Sequence, residues 1–337
     1  MSREALAHRP EVRAEERGGG GTEVKGRNVT TIFLNAEEHR LRAGWRILAL
    51  FLATLVASLA SAQLAKLGVG STLAWVAYLV MASAVLWAVV TRIDRRPFRT
   101  LGFEVGRSWW TDLALGFGAS LLAMALVFAV SLVCGWVQVD GRPRTGVGAG
   151  VLLWGVLAGQ LALYAFSTTY EEALCRGFLL RNLREGFQGR RLDSRMVPAS
   201  ALVVSSLLFG LMHAGNPNAT VLSFFELVLF GGLVGWVYLL TGSLAMPIGL
   251  HLGWNFAMGN IFGFPVSGAA AGVSVLTLRQ QSHPLWTGGA FGPEAGLSGL
   301  LALLVLLVLL GFSFRHASRE KWRTRPSYLK GASRAGR

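Results

Sequence analysis

Tyr170-Glu171-Glu172-Ala173-Leu174-Cys175-Arg176-Gly177-Phe178-Leu179-Leu180 sets two adjacent carboxylates and a guanidinium inside a long run built largely of Leu, Val, Ala, Gly, Trp and Phe. If the run is a membrane helix, burying three ionisable groups costs several kcal/mol, less what pairing recovers. Glu172 and Arg176 are four residues apart, so they pair along one helix face. Glu171, about 100° away around a 3.6-residue helix, is left free for other work. The stretch therefore predicts a helix with a self-supporting ion pair and a spare carboxylate. A pair that only fixes helix packing is the plainer reading of these residues alone.

The rest of the chain supports a membrane setting. Of 337 residues, 53% are hydrophobic and 15% charged, and the mean hydropathy is +0.48. Soluble domains carry about a quarter charged residues, so a soluble enzyme is excluded. The formal net charge of +14 comes from 32 Lys+Arg against 18 Asp+Glu. These bases cluster in the tails and alternate loops, the pattern of membrane topology and anionic lipid contact, so nucleic acid is not an expected partner. Cys134 and Cys175 both lie in apolar segments and imply neither a disulfide framework nor a cysteine metal site.

Apolar runs of roughly 20 residues, enough to span a bilayer as helix, recur at 45–66, 71–91, 111–137, 150–182, 197–214, 220–240, 243–264 and 296–314. The predicted fold is an all-α polytopic membrane bundle of about eight transmembrane helices. Residues 1–40 are expected to be a disordered cytoplasmic tail, 41–315 the transmembrane domain, and 316–337 a basic cytoplasmic tail. Arg40, Arg42 and Arg46 precede the first run, Arg92, Arg95, Arg96, Arg99 and Arg107 follow the second, and Arg181, Arg184, Arg190, Arg191 and Arg195 follow the fourth. The 138–147, 215–219 and 265–295 loops are poor in bases, which puts both termini on the cytoplasmic side. The 97–110 stretch, mixing Arg with aromatics, is expected as a short interfacial element.

Only two of the six histidines, His213 and His251, fall inside apolar runs. His213 ends Phe209-Gly-Leu-Met-His213, and Gly215-Asn216-Pro217 then breaks the helix. His251 and Asn255 are one turn apart and share a face. Three helices thus each supply polar groups while the other runs are nearly free of them. Convergence on one wet cavity avoids burying each group separately. Glu226, in the sixth run, is a further buried carboxylate with no assigned chemistry. Glu171 with His213 could take a proton from a water that attacks a carbonyl, while His251 and Asn255 donate to the oxyanion formed. The same Glu and two His could instead hold zinc with an open position.

The ordered set Glu171-Glu172-xxx-Arg176, Phe209-xxx-His213 and His251-xxx-Asn255, on successive helices, resembles the CPBP family. That family comprises type II CAAX prenyl proteases and bacteriocin-processing or abortive-infection-type membrane proteins. The run from Gly235 to Pro247 is similar to the lead into its third motif, and the resemblance covers roughly 150–260. It implies that Glu171 and His213 activate water, that His251 and Asn255 form the oxyanion site, and that Glu172 and Arg176 support the first motif.

The expected activity is that of an intramembrane endopeptidase acting on a membrane-associated protein or peptide in the bilayer, in a bacterial plasma membrane. A silent binding or immunity protein of the same fold is the alternative, and a proton-coupled transporter a third. No cofactor is favoured. Zinc is possible, but Glu172, the obvious carboxylate to orient a zinc histidine, is expected to be taken by Arg176, and Asn255 is a poor zinc ligand. One difficulty attends the depth of the site. Counted along the runs, Glu171 falls in the cytoplasmic half and His213 near the opposite end, so either the fourth helix is long or the fifth is broken.

Overall fold

The computed structural model describes residues 30–316, apart from 36–37, 142, 145–152, 189–191 and 271. The predicted tails fall largely outside these residues, as do Arg190 and Arg191. Within 30–41, Thr30–Phe33 is a helical turn and Leu34–Asn35 pairs with Arg40–Leu41.

Nine helices of seven residues or more, among the described residues, build the molecule: α1 Ala43–Lys66, α2 Ser71–Ala88, α3 Arg107–Val133, α4 Leu153–Glu172, α5 Arg181–Phe187, α6 Met196–Met212, α7 Val221–Thr241, α8 Ala245–Phe256 and α9 Leu297–His316. Each apolar run read from the sequence corresponds to a helix. Five helices, Ala43–Lys66, Ser71–Ile93, Arg107–Val133, Val221–Thr241 and Leu297–Arg315, are long and apolar enough to cross a membrane, and they mark an integral membrane protein. Length and composition by themselves thus mark five of the eight runs as candidate crossings among the described residues. The other three runs are the ones that carry the polar residues of the sequence motifs. Of these, α8 and the stretch after α4 are enclosed by protein, for every residue from Ala245 to Asn255 and from Ala173 to Leu180 is buried, whereas α6 keeps Val203, Leu207 and Leu211 exposed.

The closest helix pair is α3 and α8. A β-carbon at Gly249 would stand 2.1 Å from the Leu113 carbonyl oxygen, one at Gly253 2.5 Å from that of Phe117, and one at Gly116 2.6 Å from that of Met246. Such small-residue seams let backbones touch where lipid gives no hydrophobic drive. The Ser120 hydroxyl donates to the Leu250 carbonyl across the seam at 2.7 Å. Gly249-xxx-Gly253 therefore serves helix approach.

The loops sort to two ends. At one end, Arg40 and Arg46 both donate to the buried Asp94 carboxylate. They also reach Glu185 at 3.2 and 3.1 Å, where Arg96 joins them. Arg181 donates to the Thr100 carbonyl at 2.8 Å. The 97–103 stretch is tucked against this end as a short 3-10 turn, Phe98–Leu101, with Leu101 fully buried. At the other end the three base-poor loops meet. Val137–Val139 pairs with Leu278–Gln280, Arg144 pairs with Ser274, and the 215–219 loop bonds to 267–268. The 265–295 loop is thus an ordered cap.

Candidate active site

The α4 helix does not stop at its glutamates. Its axis continues through a π-helical stretch, Ala173–Leu180, into α5. π turns are rare and recur at functional sites; here one begins at the residue after Glu172. Nothing in the sequence announces it, although Gly177 permits it to press on Leu101, whose β-carbon would lie 2.9 Å from an added one.

This continuity removes the depth difficulty. Glu171 lies 16 residues before the end of α5, and His213 lies 17 residues after the start of α6, the helix that returns alongside. At about 1.5 Å per residue, less in the π stretch, both stand roughly 20–25 Å from the shared loop. Measured from Arg181, at the charged end, Glu171 is roughly 15 Å up, half a hydrocarbon thickness. The fourth helix is long; the fifth is not broken.

The polar groups meet at that level. Glu172 is completely buried, and its Oε1 accepts from Arg176 Nη1 at 2.9 Å and from His251 Nδ1 at 2.9 Å. Arg176, also buried, donates from Nη2 to the Gly231 carbonyl at 3.2 Å and lies 4.4 Å over the Phe209 ring. The Phe209 carbonyl in turn holds His213 Nδ1 at 2.8 Å. A carbonyl can only accept, so this Nδ1 carries the proton, and in the neutral ring Nε2 is an open lone pair. His251 is fixed the same way by Glu172. Both Nε2 atoms then face Glu171 Oε2, at 4.0 Å from His213 and 3.8 Å from His251. Glu171 keeps 22% exposure and His213 15%, so this side of the cluster is open while Glu172 and Arg176 are sealed.

The sequence spacing assigned Glu172 to Arg176 alone and weighed that against zinc. The structure corrects it: one oxygen serves both partners, and His251 has the carboxylate orienter that it was expected to lack. The separations bear on the guest instead. Nitrogen and oxygen ligands on one tetrahedral zinc, each about 2.0–2.1 Å from it, stand about 3.3 Å apart. Atoms that share one water at about 2.8 Å each stand about 4 Å apart when the angle is near 90°. The gaps at Glu171, 4.0 and 3.8 Å, are wider than the first and leave room for a water.

Asn255 lies one turn beyond His251 with its Oδ1 buried and without a hydrogen bond. Sequence reasoning missed the aromatic wall of the site. Phe230 packs edge-on to His251 at 5.3 Å and on Trp254 at 5.0 Å. Glu226, one turn before Phe230, is buried and faces Gly299 and the start of α9 rather than the histidines.

The comparisons with known proteins meet this geometry. No solved structure matches. The uncharacterized protein YyaK of Bacillus subtilis (strain 168) is 29% identical over 204 residues, 60% of this chain and 64% of that protein, so the chain spans less than two thirds of that relative's length. Residues 153–257 match the family model described as type II CAAX prenyl endopeptidase Rce1-like. Over the segment that holds Glu171, Glu172, Arg176, His213, His251 and Asn255, the chain is thus similar to the Rce1-like type II CAAX prenyl endopeptidases, the CPBP family that its motifs resemble.

Proposed function

We propose that the protein is an intramembrane endopeptidase that hydrolyses a peptide bond of a membrane-associated protein or peptide. The observation that carries this reading is the pair of Nδ1-anchored histidines whose Nε2 atoms converge on Glu171 Oε2 at 3.8 and 4.0 Å. Glu171 and His213 hold one water between them, and Glu171 takes its proton as the oxygen attacks the scissile carbonyl. The oxyanion that forms is met by His251 and by the Asn255 amide. The leaving amine then recovers the proton from Glu171, so the carboxylate is regenerated.

The roles need no metal: the spacing suits water, and the nucleophile is activated by a carboxylate. Zinc bound at this spot would hold Glu171, His213 and His251 closer together and supply a Lewis acid. The Lys/Arg excess at the end holding Arg40, Arg96 and Arg181 supports a cytoplasmic setting for that end and for both termini, in a bacterial plasma membrane.

The test is purified protein in detergent or liposomes against an internally quenched peptide library, with Glu171→Gln alongside. Gln keeps the shape and removes the base, so cleavage should fall about 10²–10⁴-fold. Cleavage retained by Glu171→Gln would sink the reading.

A further inference from the structure

The segment 262–296 lies outside both the matched family segment and the sequence motifs, and one residue in it is out of place by composition. Glu294 is a carboxylate only 4% exposed, in a cap lined by buried Phe264, Val266 and Phe291. Burying a carboxylate is tolerated when donors surround it. Three do. Oε1 accepts from Trp254 Nε1 at 2.9 Å, and Oε2 accepts from the Ser267 amide at 2.7 Å and the Ser267 hydroxyl at 2.9 Å.

Both neighbours lead back to the site. Trp254 precedes Asn255 and lies three residues after His251. The Ser267 carbonyl accepts from Asn216 Nδ2 at 3.0 Å, and the Asn216 amide bonds the His213 carbonyl at 3.0 Å. Next to this, Asn218 Nδ2 donates to the Gly268 carbonyl at 3.2 Å. Ser267 is held at φ +46°, a left-handed conformation costly for a residue with a β-carbon. The cost is offset only because its N–H, hydroxyl and carbonyl all have partners there.

We infer that Glu294 and Ser267 form a clasp that joins the end of α6 to α8 and thereby sets the spacing of His213 and His251 across Glu171. Deeper in the bundle α6 and α8 meet by ring packing, Phe209 on His251 at 5.9 Å and through Phe230 of α7, and each bonds the stretch after α4, Ser205 to the Cys175 carbonyl and His251 to Glu172. Ring packing tolerates sliding, whereas hydrogen bonds fix position. At the loop end, where His213 sits, the chain of bonds from His213 through Asn216, Ser267 and Glu294 to Trp254 is the directional link between the two histidine helices. Glu294, Ser267 and Asn216 are positioning residues, for none touches the reacting atoms. The inference rests on the proposed roles of the histidines, although the clasp itself can be tested without them.

The experiment pairs Glu294→Gln with Asn216→Ala, singly and together, in the full-length protein. The amide that Glu294→Gln introduces keeps an oxygen to accept from Trp254, but its NH₂ group, now set against the Ser267 N–H, cannot accept from it. Hydrogen exchange reads the clasp: each single variant should lose protection in 213–220 and 262–270 together, with α1 and α2 unchanged. Peptide cleavage reads positioning: kcat should fall about 10–100-fold, as for outer-shell partners, with KM within about threefold. The double variant should be no worse than the poorer single, because one chain can be cut only once. Should Glu294→Gln not fold, Trp254→Phe removes only the indole donor and must give the same exchange pattern. Exchange confined to 262–270, kcat losses that multiply in the double variant, or a change in KM alone would overturn the inference. If the wild type cleaves no peptide, that failure belongs to the proposed activity, and the exchange result still decides the clasp.

Discussion

Arg176 tests whether buried charge or mere packing holds the core of this site. Its guanidinium is 1% exposed and meets three things: Glu172 Oε1 at 2.9 Å, the Gly231 carbonyl at 3.2 Å and the Phe209 ring at 4.4 Å. Arg176→Met keeps the apolar stem and removes the charge. Breaking a buried pair by deleting one partner typically costs about 3–5 kcal/mol, because the surviving charge has lost its compensation. The cation–π contact adds about 0.5–2 kcal/mol. Against a total stability of about 5–15 kcal/mol, a loss of that size is about a fifth of the whole or more. His251 remains on Glu172 and can soften the loss, which places the expectation near ~3 kcal/mol, the low end of that range. The double variant Glu172→Gln/Arg176→Met removes both charges, and most of the stability should return. Activity should not return: His251 Nδ1 then faces a neutral amide oxygen, and losing a carboxylate orienter costs about 10–100-fold. Denaturant titration in detergent gives the stability of the three proteins, and peptide cleavage gives the rates. A single variant as stable as wild type would show the pair to be ornamental. A double variant as unstable as the single would show that charge is not the cause.

Two further outcomes follow from the geometry. Chelator dialysis should leave peptide cleavage unchanged, and elemental analysis of active protein should find substoichiometric zinc; activity lost on dialysis and restored by zinc would refute the water-only site. Gly249→Ala puts a methyl 2.1 Å from the Leu113 carbonyl oxygen, backbone against backbone. Separating α3 from α8 should cost about 1–3 kcal/mol or more and lower cleavage by displacing His251, whereas Gly118→Ala, with open space around it, should do neither.

The sequence was legible where local physics dominates. Apolar run length located every major helix, because a bilayer demands about 20 apolar residues and helical hydrogen bonding. The pairing of Glu172 with Arg176 follows from i,i+4 geometry. What was illegible is non-local. Glu172 also holds His251, which is 79 positions away, and no spacing rule reaches that far. The depth of Glu171 was misjudged because charged Arg181, Arg184 and Glu185 suggested that the helix ended, when they mark its passage into the charged end. Glu294 gave no signal, as a lone glutamate in a Gly-rich loop is ordinarily solvated.

The different anchors of the two histidines give a reason for their different proposed roles. His213 Nδ1 is held by a neutral carbonyl of its own helix, which leaves its Nε2 lone pair to hold water. His251 Nδ1 is held by Glu172. Glu171 and Glu172 against Arg176 leave one unbalanced negative charge, in surroundings where an unpaired ion costs several kcal/mol. A proton on His251 Nε2 brings the sum to zero and turns that nitrogen into a donor, as an oxyanion site requires. Glu172→Gln cancels the excess by itself and removes the reason for that proton. Were Glu172 only an orienter, this variant would lose about 10–100-fold in kcat. If it also maintains the cation, the loss should match that of removing an oxyanion donor, about 10²–10³-fold, and Asn255→Ala gives the internal standard. A Glu172→Gln rate within about tenfold of wild type, the low end of the orienter range, would refute the charge argument and return His251 to a neutral role.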